Sequence, residues 1–138
     1  MTIAVVVITK DEERNIDDCL ESTRWADELV VVDAESRDRT VDIARKYTDK
    51  VFIRPWPGFG PQWNYGLDKA TTEWVFVLAA DERIPRALKE EILTVLADGP
   101  TFTINSSTIG NAYWITSTTG YSSLATLWHT VNPLTFMR

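Results

Sequence analysis

The chain carries a single cysteine, Cys19, and a single histidine, His129. One cysteine excludes an internal disulfide framework and suits a reducing compartment; its simplest role is a small core residue on a helix. One residue of each type also excludes a structural zinc site, which leaves His129 as a loop or partly buried residue rather than a ligand. Cations are scarce as well. With 14 Lys and Arg against 20 Asp and Glu, the formal charge is -6, and no face is basic enough to track a nucleic-acid backbone, so nucleic acid is excluded as a partner. Long hydrophobic runs are missing: IAVVVI and LVVV fall far short of the roughly 20 residues of a membrane helix. The basic, apolar, small order of a secretory leader is absent too. These absences predict a cytoplasmic protein without a transmembrane segment, one that at most touches a membrane surface.

What remains suffices for one core. A chain of 138 residues, 44% of them hydrophobic, buries one good core and is too short for two ordinary domains. From Ile3 to Ile8 the apolar residues are continuous and β-branched, as in a strand covered on both faces. The segment TKDEERNIDDCLES then offers Thr9 and Asp11 as caps and Ile16, Cys19 and Leu20 at helical spacing. The alternation repeats through ELVVVD, RDRTVDIARKY, KVFIR, PQWNYGLDKA, EWVFVL and PRALKEEILTVLA. Strands alternating with helices at this spacing predict an α/β fold: a parallel, Rossmann-like sheet with right-handed crossovers and helices on both faces, in the strand order 3-2-1-4. Beyond Gly99-Pro100 the chain turns rich in Ser, Thr and aromatics and has no basic residue until Arg138. Its Thr, Ile, Tyr and Trp favour strands, but no clean alternation persists, so this C-terminal segment is poorly defined from sequence.

The stretch WVFVLAADERIP carries the functional signal. A buried strand ends in two alanines and runs directly into Asp81 and Glu82, and carboxylates do not sit in a core uncompensated. In sheets of this kind ligands bind beyond the carboxyl ends of the strands, where strand order reverses. That rule gathers Thr9 to Asp11, Asp33 and Asp81 around one crevice. Any one of these acids alone reads equally well as a loop acid or helix cap, and Asp38 fits the cap of the second helix better than a ligand site. The segment TKDEER after the first strand has no glycine, which counts against a glycine-rich phosphate loop. Arg14, Arg37 and Arg39 read as solvated charges. In RPWPGFGPQWNYG, Trp63 is spaced with Leu67 to cover the sheet; Trp56 and Phe59 either cover the sheet edge or stack on a sugar or base.

Taken in order, VVVITKDEERNIDDCLES, WADELVVVDAESRDRTVDIARKY, VFIRPWPGFGPQWNYGLDKA and EWVFVLAADERI resemble the nucleotide-sugar half of family-2 glycosyltransferases with the GT-A fold. Within that family the chain is similar to the bacterial lipopolysaccharide-core glucosyltransferase-like group, over about Ile3 to Leu96. The resemblance implies an inverting transfer of a hexose from a nucleotide-diphospho-sugar, a UDP-sugar above all, to a lipopolysaccharide-core or other glycan or lipid-linked acceptor, at the inner face of a membrane. It implies that Asp33 accepts a hydrogen bond from the nucleobase, that Thr9, Glu12 and Asn64 belong to the nucleotide site, and that Asp81 holds Mg²⁺ or Mn²⁺ on the diphosphate. Hard oxygen ligands suit those ions, and an acidic chain needs a cation where it holds pyrophosphate. It further implies a donor half at residues 1–98 and an incomplete acceptor-side segment at 99–138, the mark of a truncated or degenerate copy.

The chain departs from the family pattern at named positions. Leu-Asp-Ala-Asp-Glu becomes Leu78-Ala79-Ala80-Asp81-Glu82, Trp63 stands where Lys or Arg is usual before Asn64, Asp11 replaces Asn, and Glu35 sits in a loop of small residues. No residue is identified as the catalytic base. The alternative is therefore a catalytically impaired remnant that binds only nucleotide or nucleotide-sugar.

Overall fold

The structure, a computed structural model, describes residues 2–97, 104–106 and 113–117. Four parallel strands, β1 (Ile3–Thr9), β2 (Glu28–Asp33), β3 (Val51–Ile53) and β4 (Trp74–Ala79), alternate with α1 (Ile16–Glu21), α2 (Thr40–Ala44), α3 (Phe59–Lys69) and α4 (Arg86–Ala97). Two short strands, β5 (Ile104–Ser106) and β6 (Tyr113–Ser117), pair with each other and extend the sheet antiparallel to β4. The sheet order is β3-β2-β1-β4-β6-β5. Its parallel part has the predicted 3-2-1-4 order.

Both faces of β1 are covered, which is why it reads as an unbroken apolar run. Ile3, Val5 and Val7 join Ile16, Cys19 and Leu20 of α1, Ile43 and Ala44 of α2 and Leu88, Ile92 and Leu96 of α4 on one side. Ala4, Val6 and Ile8 join Trp63 and Leu67 of α3 with Val30, Val32, Val75 and Val77 on the other. At about 1.5–3 kcal/mol for each large aliphatic side chain fully buried, this two-sided burial makes β1 the centre of the sheet. Helix α3 lies close because Gly66 has no side chain: a Cβ there would stand 2.3 Å from Val6 Cγ1.

Two helices are shorter than their sequence pattern. The helix expected from Thr9 and Asp11 begins only at Ile16. Asp11 takes φ 49, and the amides of Asp11, Glu12 and Glu13 donate to Ser36 of the β2–α2 loop, Thr40 at the start of α2 and Asp38 of that loop instead of serving a helical turn. Helix α2 covers only Thr40–Ala44 of the expected 37–47. Its N-cap residue is Arg39, without a side-chain cap bond, and the expected cap Asp38 stands one residue earlier, its Oδ1 accepting from the Thr40 amide at 2.9 Å and hydroxyl at 2.5 Å. Beyond Pro100, β5 and β6 realise part of the strand preference; the rest of 99–138, His129 included, lies outside the described residues. No helix among the described residues is long and apolar enough to cross a membrane.

Candidate functional site

The carboxyl ends of β1, β2 and β4 converge. Thr9 is the register partner of Asp33, Ile8 that of Ala79, and the amides of Ala34 and Ala80 donate to Thr9 and Ile8 at 2.9 and 3.2 Å. Strand alternation directs the Thr9 and Asp33 side chains to the α1/α2 face, in line with Val7 and Val31. Asp81 follows at the same edge on the far side of β1. The three positions gathered by topology therefore share one rim.

Their environments differ. Asp33 is fully buried, with one carboxylate oxygen accepting from the Ser36 amide at 2.8 Å and the other from the Ser36 hydroxyl at 2.5 Å. Each oxygen keeps a lone pair for a further donor. Thr9 is 5% exposed and its Oγ1 has no partner among the described residues. Glu12 is half-buried and turned toward α1, accepting from Asn15 Nδ2 at 2.8 Å. Asn64 is half-buried on α3, which packs on the opposite face of the sheet from the Asp33 side chain. Asp81 is exposed.

Glu82 behaves differently from Asp81. Its carboxylate folds back to accept the Ala79 amide at 2.9 Å. Burial, opposed by that hydrogen bond and aided by the Asp81 charge, pushes its carboxyl above the usual range. Burial first, then Glu82 and Asp81, drives the nearby Cys19 thiol up to about 12, which leaves it inert at neutral pH.

The β1–α1 and β2–α2 loops interlock over this edge. Lys10 Nζ donates to the carbonyls of Ala34 and Glu35 at 2.8 and 2.9 Å, and the Arg37 amide donates to Asp11 at 2.7 Å. Glu35 takes φ 57, a left-handed conformation that favours glycine over a side chain of this size. Lys10 falls within the Thr9 to Asp11 span gathered by topology, whereas Ser36 was not foreseen as a site residue. Ser36 follows Asp33 by three, the spacing of a side-chain-to-backbone turn, so a signal for it existed. Trp63 is 2% exposed in the α3 core, so position 63 covers the sheet and, with this side chain, faces no phosphate.

Among the described residues no three His, Cys, Asp or Glu stand together as a metal site. Asp81 is free to ligate, Glu82 is turned to Ala79, and Ala79 offers a methyl. One carboxylate cannot cage a free cation. It does fit Mg²⁺ or Mn²⁺ that arrives on a diphosphate, because such ions are commonly held by one or two carboxylates plus phosphate oxygens.

A model of glycosyl transferase family 2 matches residues 4–131. The chain belongs to that family. This family 2 chain is 35% identical over 96 residues to an uncharacterised glycosyltransferase of Rickettsia bellii, covering 69% of this chain and 33% of the relative. It is 30% identical over 102 residues to the lipopolysaccharide core biosynthesis glycosyltransferase LpsC of Rhizobium meliloti, covering 70% and 38%. It thus spans about a third of the length of the curated relatives it matches. Among solved structures it resembles S. aureus TarS 1-349 in complex with UDP-GlcNAc, with TM-score 0.59 and 27% identity over 71% of this chain and 32% of that one. It also resembles glucosyl-3-phosphoglycerate synthase from Mycobacterium tuberculosis in complex with Mn²⁺, UDP and glucosyl-3-phosphoglycerate, with TM-score 0.62 and 25% identity over 74% and 42%. The fold is that of the GT-A glycosyltransferases.

Proposed function

We propose that residues 1–98 are the donor-binding half of a transferase that moves a hexose from a UDP-sugar to a lipopolysaccharide-core or similar glycan or lipid-linked acceptor, with 99–138 on the acceptor side. The observation that carries this reading is the Thr9–Asp33 pair: a buried carboxylate beside a hydroxyl without a partner among the described residues, at the carboxyl edge of a family 2 sheet. Such a pair can accept a base imide N–H and donate to a base carbonyl. Glu12 and Asn64 belong to the nucleotide site in this reading, Glu12 through the loop that borders Thr9. Asp81 holds Mg²⁺ or Mn²⁺, which supplies charge neutralisation for the departing diphosphate.

The reaction is an inverting displacement. The acceptor hydroxyl attacks the anomeric carbon from the face opposite the diphosphate, the bond to the diphosphate oxygen breaks, UDP leaves with the electron pair, and the hydroxyl proton passes to a carboxylate base. Glu82 is not assigned that task, since its carboxylate caps the Ala79 amide. The acceptor reading puts the chain at the cytoplasmic face of the membrane.

Ala79 favours a second reading, a nucleotide binder impaired in transfer, because a methyl stands where the family pattern has its first Asp. Release of UDP from UDP-glucose in Mn²⁺, with and without a lipopolysaccharide-core acceptor, separates the two. Acceptor-dependent release supports the transferase, and UDP binding without it supports the impaired binder. Absence of both binding and release would contradict either.

A further inference from the structure

We propose that Trp56 is the stacking platform for the donor nucleobase, a role that rests on the donor reading above. Trp56 lies between β3 and α3 in Arg54-Pro55-Trp56-Pro57-Gly58, a segment tied at both ends. The Arg54 amide donates to the main-chain carbonyl of Asp33 at 3.0 Å, which starts the segment at the end of β2. Gly58 takes φ 107 and its carbonyl accepts from the Gln62 amide at 3.1 Å. Two prolines restrict φ in between. The indole is therefore held outward by the chain: Trp56 and Phe59 are each 47% exposed, and their rings meet edge to face with centroids 4.9 Å apart. An edge contact leaves a flat face of the indole uncovered by Phe59.

The surroundings favour a base over a sugar. A hexose ring needs hydrogen-bond partners for its hydroxyls, but the residues flanking Trp56 are Pro55, Pro57, Gly58 and Phe59, without side-chain donors or acceptors. The Arg54 guanidinium already lies 4.4 Å over the Tyr65 ring. A base needs only its face covered here, because its edge is read elsewhere. Two residues of extended chain span about 7 Å, so Trp56 stands within a short reach of the carboxyl edge of β2, where Arg54 bonds to Asp33. Thr9 supplies the independent observation: its buried Oγ1, unpartnered among the described residues, gains a hydrogen bond when a base edge arrives. The exposed acids Asp11 and Glu35 on the adjoining loops disfavour an anionic lipid surface at this patch.

The test titrates UDP, UDP-glucose and inorganic pyrophosphate into the parent chain, Trp56→Leu and Trp56→Phe, each checked by circular dichroism for retained fold. Stacking predicts about tenfold weaker UDP binding for Trp56→Leu, partial recovery in Trp56→Phe, the same proportional loss for UDP-glucose, and unchanged pyrophosphate binding. Equal UDP affinity for parent and Trp56→Leu overturns the proposal. So does a loss confined to UDP-glucose, which makes Trp56 a sugar platform, or an equal loss for pyrophosphate, which makes the effect a general distortion. Failure of the parent to bind UDP overturns the donor reading itself, and this inference falls with it.

Discussion

Asp33 is clamped by Ser36, whose amide and hydroxyl donate to the two oxygens of one carboxylate at 2.8 and 2.5 Å. The same hydroxyl oxygen accepts the Asp11 amide at 2.7 Å, so Ser36 ties the loop after β1 to the loop after β2. Ser36→Ala removes two hydrogen bonds, one of them to a buried charge. The expected loss is about 1–3 kcal/mol in urea unfolding. A variant as stable as the parent would show that the two loops are held by their other contacts.

Gly66→Ala sets two effects against each other. In an open helix the change gains about 1 kcal/mol from propensity. Here the new Cβ would stand 2.3 Å from Val6 Cγ1 and 3.2 Å from Val32 Cγ2, and overpacking of a core costs about 1–3 kcal/mol or more. Net destabilisation is expected, read as a lower thermal midpoint. A raised midpoint would mean that α3 does not pack this closely on β1 and β2.

Asp38 links stability to pH. Burial alone would raise its carboxyl, but hydrogen bonds from the Thr40 hydroxyl, the Thr40 amide and the Glu13 amide outweigh it and hold the group below its ordinary 3.8. A depressed carboxyl contributes stability above its unfolded value and loses it as pH falls through the folded one. Asp38→Asn should therefore be less stable than the parent near neutral pH, with the gap closing below about pH 4. A gap that stays constant down to acid pH would contradict the assignment.

Much of the fold was legible because β1, β2 and β4 are buried on both faces, and such strands write themselves as continuous apolar runs. The start of α1 was not legible. Local caps at Thr9 and Asp11 suggested a helix, yet the amides of Asp11, Glu12 and Glu13 bond to residues more than twenty positions away, and no local pattern encodes such partners. The site was legible as a set of strand ends, since topology alone brings Thr9 to Asp33. What the pattern could not convey was accessibility: Asp33 is buried and clamped, Asp81 exposed, and Glu82 turned back on Ala79. Beyond Pro100, three- and five-residue strands are too short for alternation to reveal.

Ala79→Asp tests the weakness of the cation site. With Asp81 the one free carboxylate at this strand end among the described residues, few charged oxygens compensate a divalent ion for its lost water. The substitution should tighten Mn²⁺-dependent UDP binding, and without metal it should give no gain, since the added carboxylate repels the diphosphate. If the variant binds no better in Mn²⁺ than the parent, the missing acid is not what limits the site.

The most direct measurement is calorimetric titration of UDP, in Mn²⁺, into the parent chain, Asp33→Ala and Asp38→Ala. Asp33 would hold the base edge, whereas Asp38 bonds to Thr40 at the start of α2 and to the Glu13 amide, so binding should be lost in the first variant and kept in the second. Absence of UDP binding by the parent, or equal losses in both variants, would contradict a nucleotide site at the Thr9–Asp33 edge.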